Sequence, residues 1–363
     1  MSQEVSLAAS LPDGWRLTLQ GQDRTAPGLR YAGLSAASLA KTWQLSGVDR
    51  SASVLVGRSA TNWSLWQGDS VVLSGRAPGS EQLAYTYHQG PVDFDKIIGR
   101  LSGGDRYLLA QRLTVRQGGF TGSVGEVAIS DGAFASRLST LLPWPSYLTQ
   151  WVGLQSGTVD NDRINDNVFV QAQYRSSRGL LLGGEFFADD MPGTSHDRQP
   201  FQVAGLLRCE IPFQGDHRLA LQYARVNNFT YGFQASDGRY SNYDYVLGWP
   251  AGPDSDDLQL IWTFPRTRFG LAGLGVSRQR HGEGTVADVW ETAGYAATED
   301  RQFLSGVVEE STTVFALATY ALGDVSALRV RVGLGSVRNF RHVPGSNTLR
   351  PELSVELSHR FGQ

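Results

Sequence analysis

The segment PELSVELSHRF, residues 351–361, decides the fold. Leu353, Val355, Leu357, His359 and Phe361 hold one set of alternate positions, and Glu352, Ser354, Glu356, Ser358 and Arg360 hold the other. Successive side chains of a β-strand point to opposite faces, so this period predicts a strand with one apolar and one ionic face. The preceding stretch repeats it, with Leu328, Val330, Val332 and Leu334 against Arg329, Arg331, Gly333 and Gly335. The same alternation runs through 106–116, 167–175, 203–211, 218–223 and 258–264. Further candidate strands lie at 15–24, 52–59, 69–77, 82–88, 120–130, 179–189, 269–280 and 312–322.

Many of these segments run about ten residues, the length that crosses a bilayer at a tilt. An antiparallel sheet with one wet face gives the same alternation, but so many segments would then need a second sheet to cover them. The prediction is an all-β fold, an antiparallel transmembrane β-barrel of about 14–18 strands, with 1–363 as one domain. The 42 Gly, 13 Tyr, 9 Trp and 16 Phe agree, since glycine serves turns and aromatics serve strands. The mean hydropathy is -0.24, and no apolar run reaches the roughly 18 residues of a transmembrane helix. A barrel strand shows only one face to lipid, so neither observation opposes the prediction. Short connections are expected at 176–179, 214–216 and 323–324, and long polar loops at 228–256 and 281–304. A short helix is expected within Phe134 to Trp151, ended by Pro143 and Pro145.

The single cysteine, Cys209, excludes an internal disulfide and a cysteine metal cluster. A net charge of -3 without a basic run argues against nucleic acid as a partner. The opening MSQEVSLAAS lacks a basic region followed by an apolar core. The expectation is therefore a processed or reassigned start to an exported chain.

The strong enzyme signatures are absent, and the six histidines stand apart in sequence. No catalytic residue, metal or cofactor is expected. DNDRINDN, 160–167, lacks the glycine and closing glutamate of a calcium loop and reads as a solvated turn. Asp189 and Asp190, beside Glu185, are expected to pair with lumen arginines rather than to form an acidic cluster at a strand end. The predicted lumen-facing polar residues are Arg112, Arg116, Glu126, Glu185, Arg208, Arg329, Arg331, Glu352 and Glu356. Sugar recognition needs aromatic faces beside polar groups. Tyr231, Tyr240, Tyr243, Tyr245, Trp249 and Trp290, in loops rich in Asp, Asn and Gly, are the candidates for it, or else members of an interfacial aromatic girdle.

Several stretches carry a resemblance. VGRSATNWSLWQGDSVVLSGRAP at 56–78, ending in Arg76, Ala77 and Pro78, is one. RYLLAQRLTVRQGGFTGSVGEVAISDG at 106–132, with Arg112, Arg116, Gly125 and Glu126, is another. LLPWPSYLTQW (141–151), NDN (165–167), GEFFADD (184–190), YARVNNFTYGF (223–233) and LGWPAGPDSDDLQLIW (247–262) follow in order. Together, over 55–363, they resemble the Wzi-like capsule-assembly family of outer-membrane proteins. Residues 1–50 depart from it, being strand-like where that family has a helical segment. The resemblance implies an outer-membrane location and a non-enzymatic role in binding or anchoring surface (capsular) polysaccharide. Outer-membrane lipid and surface polysaccharide are then the partners, and the barrel is a monomer. The charged inner face implies the alternative, an outer-membrane channel for small solutes.

Overall fold

The computed structural model describes residues 2–361 apart from 12, 14, 27–28, 47–48, 67, 133–163, 191–199, 234–235, 266–270, 289–302 and 322–325. The predicted helix within 134–151 and Trp290 lie outside the described residues. The first twelve strands are β1 Ser2–Ser10, β2 Trp15–Ala26, β3 Leu29–Gln44, β4 Arg50–Ser59, β5 Ser80–Gln89, β6 Val92–Arg100, β7 Arg106–Gln117, β8 Phe120–Asp131, β9 Ile164–Arg175, β10 Leu181–Asp190, β11 Gln202–Pro212 and β12 Arg218–Val226. A two-residue hairpin follows, β13 Ser241–Asn242 with β14 Tyr245–Val246. The last five are β15 Ser255–Thr263, β16 Leu271–His281, β17 Glu309–Ala321, β18 Ser326–Arg338 and β19 Thr348–Phe361.

All but the small hairpin form one 17-stranded sheet. Each strand pairs antiparallel with the next, β12 passing directly to β15. The ring closes where β1 pairs antiparallel with β2 and parallel with β19. Every strand then has two neighbours and no edge is left unpaired, as a bilayer core demands. The parallel seam follows from the odd count, since in an up-and-down ring the first and last strands then run the same way. No described helix is long and apolar enough to cross a membrane.

Register carries the outer face from strand to strand. Phe120, Tyr174, Leu182, Cys209, Leu221, Leu260, Val276, Val314 and Leu334 stand in one continuous cross-strand row. Leu219, Trp262, Leu274, Ala316, Val332 and Leu353 form the next. Leu207, Val314 and Val332 are 66%, 63% and 55% exposed, so this apolar surface meets whatever surrounds the barrel. A continuous apolar band of that extent is a lipid-facing surface. Outward aromatics gather near one end: Trp43, Tyr87, Phe120, Tyr174, Trp262 and Tyr320. Lys41 lies 5.2 Å from the Trp15 ring and 5.4 Å from the Trp43 ring, the setting of an interfacial aromatic girdle. That end bears the short turns, including Gly118-Gly119, where Gly118 takes φ 58°. The opposite end bears the long connections, except the two-residue link after β2 and the five-residue link after β6.

The interior departs from the expectation of a uniformly ionic lumen. Leu108, Ala110, Val127, Ile129, Phe169, Phe187 and Leu206 face inward and are buried. They receive a plug made from two loop-end connections, 60–79 and 227–254, which bring Trp63, Trp66, Val71, Val72, Leu73, Leu247 and Trp249 into the same core. The predicted strand at 69–77 is therefore plug, not wall. Ser70, Val71 and Val72 in succession are wholly buried, which no one-sided strand allows. Wall glycines make room for this core: a Cβ on Gly183 would stand 2.6 Å from the plug's Trp66 ring, and one on Gly125 would stand 2.5 Å from the ring of Phe169 on the neighbouring wall strand.

Candidate functional site

The plug is tied down from both sides. Within 60–79, the Trp63 amide donates to the Leu73 carbonyl at 2.9 Å, and Asn62 Nδ2 donates to Gly68 O at 2.7 Å. From the wall, Glu185 accepts Ser70 Oγ at 2.7 Å and the Val71 amide at 2.9 Å. From the second loop, Tyr231 OH donates to Val71 O at 2.6 Å and Tyr240 OH to Val72 O at 2.8 Å. The two tyrosine rings stack with centroids 5.4 Å apart, and both tilt against Phe187. Burial pushes both hydroxyls well above the usual phenol range, so they remain protonated donors. Arg106 fixes the second loop by donating to the Asp237, Arg239 and Ser241 carbonyls at 2.7, 2.6 and 3.1 Å. Asn165 and Asn167, at alternate inward positions of β9, donate to Gly238 O and Val127 O.

Several sequence expectations change here. Tyr231, Tyr240 and Trp249 are 0%, 0% and 4% exposed and serve as plug core, so none offers a face to an outside ligand. Tyr245 is half-buried, and Tyr243 stays exposed. Residues 164–167 of DNDRINDN belong to a strand rather than a turn, while 160–163 lie outside the described residues. Glu185 faces inward and binds plug donors, and Asp189, expected to meet a lumen arginine, accepts the Tyr231 amide at 2.7 Å. Removing the Glu185 acceptor leaves two buried donors unmet. Glu185→Ala is expected to lower stability by about 2–4 kcal/mol and Glu185→Gln by roughly half as much, read as the temperature at which the compact form is lost on semi-native gels.

Glu126 faces outward, not into the lumen. It pairs across from Gln111, one position off the inward Gly125–Arg112 pair, and it accepts Gln111 Nε2 at 3.2 Å. Lys96 joins this outward row opposite Gln111 and is only 1% exposed. The other predicted lumen residues do face inward. Arg112 reaches Asp95 at 2.8 Å, its guanidinium stands 4.9 Å from the Trp63 ring centroid, and it donates to Trp63 O at 3.0 Å. Arg116 pairs with Asp93, which also meets His88 Nδ1 at 2.6 Å, while His88 Nε2 meets Asp49 at 3.0 Å. Arg208 binds Glu210 at 2.6 Å and Gln222 at 2.9 Å.

Across the lumen the wall is wet and ionic. Arg329 faces Glu356 at 3.4 Å and Arg331 reaches Glu352 at 3.7 Å, with side chains 60%, 38%, 32% and 36% exposed respectively. Inward residues so accessible border solvent-accessible space between plug and wall, although Arg331 also stacks 3.7 Å over the buried Phe315 ring. Arg76 of the plug, paired with Asp69, borders the same space. Sequence reasoning missed Trp63, Asp95, Asp93, His88, Asn165 and Phe187. The breakers Asn62, Gly68, Gly75 and Pro78 were the signal that 60–79 is not wall.

No protein-family model matches the chain, and neither does any curated protein. Among solved structures it is similar to Wzi, an outer-membrane protein involved in group 1 capsule assembly in Escherichia coli and described as a carbohydrate-binding β-barrel. That likeness has a TM-score of 0.56 at 10% identity over 96% of this chain and 81% of that one. It is also similar to OccD3 (OpdP) of Pseudomonas aeruginosa, with a TM-score of 0.50 at 12% identity over 95% and 82%. At such identities the likeness concerns the fold, and it agrees with the closed ring, the apolar outer rows and the aromatic girdle: the chain has the fold of an outer-membrane β-barrel.

Proposed function

We propose that this chain is a single-domain, monomeric outer-membrane barrel that binds or anchors surface polysaccharide through its loop end, and is not an enzyme. The observation that carries the reading is the plug. Two loop connections fuse into one dry core, so the loop end is a fixed platform rather than an open mouth. On its rim the Tyr243 ring sits 5.5 Å from that of Tyr31, and the Tyr243 hydroxyl lies 3.4 Å from Arg58 Nη2. An aromatic face beside charged donors suits the apolar face and the hydroxyls of a sugar ring. The likeness to a carbohydrate-binding barrel supports the same reading.

Purified barrel in detergent should retain polysaccharide from its own cell surface. Tyr243→Ala is expected to weaken retention about three- to tenfold, the worth of one aromatic contact. Undiminished retention after Tyr243→Ala and after shortening of 239–246 rules out this rim as the binding surface. The wet ionic wall of Arg329, Arg331, Glu352 and Glu356 favours a second reading, a channel for small solutes. Steady conductance in a planar bilayer would support the channel, and a silent barrel would exclude it.

A further inference from the structure

The outer face changes character at the loop end. Arg225, Asp256, Arg280, Glu310 and Arg338 stand directly opposite one another across five strands, each at or next to the terminal residue of its strand at the loop end. They share the outward face of the apolar rows, and Arg278 lies on that face one step nearer those rows. The same order recurs on another part of the ring, where Arg58, Glu81 and Arg100 form an outward row at the loop ends of β4, β5 and β6. In both rows carboxylates alternate with arginines and arginine holds both ends.

The longer row is overcharged. Four arginines meet two carboxylates. Arg280 binds Asp256 with Nε at 2.9 Å and also through Nη2, and Arg278 Nε meets Glu310 at 2.7 Å. A guanidinium has five donors in a rigid fork, so these contacts orient each fork while leaving further N–H groups for a ligand. The side chains of Arg278 and Arg280 are 51% and 36% exposed, and Arg225 and Arg338 are exposed as well. Arg225 is stiffened by stacking 3.7 Å over the Phe303 ring. The short-turn end shows aromatics and Lys41 in the equivalent zone. The two lipid boundaries of the barrel are thus chemically different.

We propose that the row from Arg225 to Arg338 is a headgroup site for a phosphorylated glycolipid of the outer leaflet. Arginine forks bind phosphate bidentately. The row sits where the apolar rows end, so a lipid whose acyl chains lie on Leu258, Leu260 and Val276 brings its headgroup phosphate to Arg278, Arg280 and Arg338. The sugar hydroxyls then meet Glu310, while Asp256, 4% exposed, serves only to orient the Arg280 fork. This assignment rests on the outer-membrane reading, with long loops facing outward.

The test is native mass spectrometry of the full chain in a neutral detergent. The probes are bisphosphorylated lipid A, its dephosphorylated form and inorganic phosphate. The phosphorylated lipid should stay bound and the dephosphorylated form should not. Retention should fall at least about tenfold in the R278Q/R338Q double variant, which removes two of the three phosphate-facing forks, and should persist or rise in Glu310→Gln. Unchanged heat-modified gel migration checks that the variants fold. Equal adducts on the double variant, equal retention of dephosphorylated lipid, or phosphate binding without lipid binding each overturn the assignment. If the chain stays monodisperse without detergent, the membrane reading itself falls. If it needs detergent yet retains no lipid, only the headgroup site falls.

Discussion

Trp63→Ala is expected to lower the stability of the plugged barrel by roughly 3–5 kcal/mol, the usual cost of a large aromatic removed from a packed core. The side chain is 4% exposed, its ring lies 5.7 Å from that of Phe169, and it carries the Arg112 guanidinium on one face. The backbone ties of Trp63 to Leu73, Arg112 and Gln171 survive the substitution, so the plug stays tethered but loosened. Two readouts follow: earlier loss of the compact band on heating, and faster proteolysis within 60–79. Trp63→Phe keeps most of the ring and should recover most of the loss. A variant that melts and digests like the parent would mean the plug is not held by this core.

Arg112→Ala carries a comparable cost for a different reason. Asp95 and Arg112 are 16% and 14% exposed in their side chains, so the pair is largely dry. Removing the arginine strips two hydrogen bonds from Asp95, which keeps Thr86 Oγ1 at 2.7 Å, and removes the donor to Trp63 O. An uncompensated charge in such a site costs about 3–5 kcal/mol. Arg329→Ala, on the wet wall, should cost under about 1 kcal/mol, because its pair with Glu356 is exposed and screened by water. Trp63 and Arg112 touch, so the double variant should lose less than the two single losses combined. Strict additivity in thermal melts would dissolve the proposed contact, and an Arg329→Ala penalty equal to that of Arg112→Ala would mean the lumen is dry throughout.

Much of the wall was legible in the residues. The alternation in 328–335 and 351–361 set Arg329, Arg331, Glu352 and Glu356 on the face opposite the apolar one, and the register keeps them together across β17, β18 and β19. Period two is a local property of the backbone, so it survives whatever the barrel encloses. The same logic failed at Glu126. Val127, Ala128 and Ile129 are all buried, so that stretch of β8 is apolar on both faces and its period does not say which face meets lipid. Lys96, Gln111 and Glu126 form an outward polar row that no one-strand pattern reveals, because each residue is interpretable only beside its cross-strand partners.

The loop aromatics mark the other boundary. Tyr231, Tyr240 and Tyr243 stand in one glycine- and serine-containing stretch with similar neighbours, yet the first two form the plug and the third the rim. Tyr231 is buried because Val71, some 160 residues away, offers it a carbonyl and Phe187 offers it a ring. The sequence alone determined that this is an all-β wall with one apolar outer face, since strand geometry converts alternation into sidedness without further information. Only tertiary structure decided the 17-strand closure with its parallel seam, the inward folding of 60–79 and 227–254, and the division of the lumen into dry and wet halves. These depend on contacts between residues far apart in the chain.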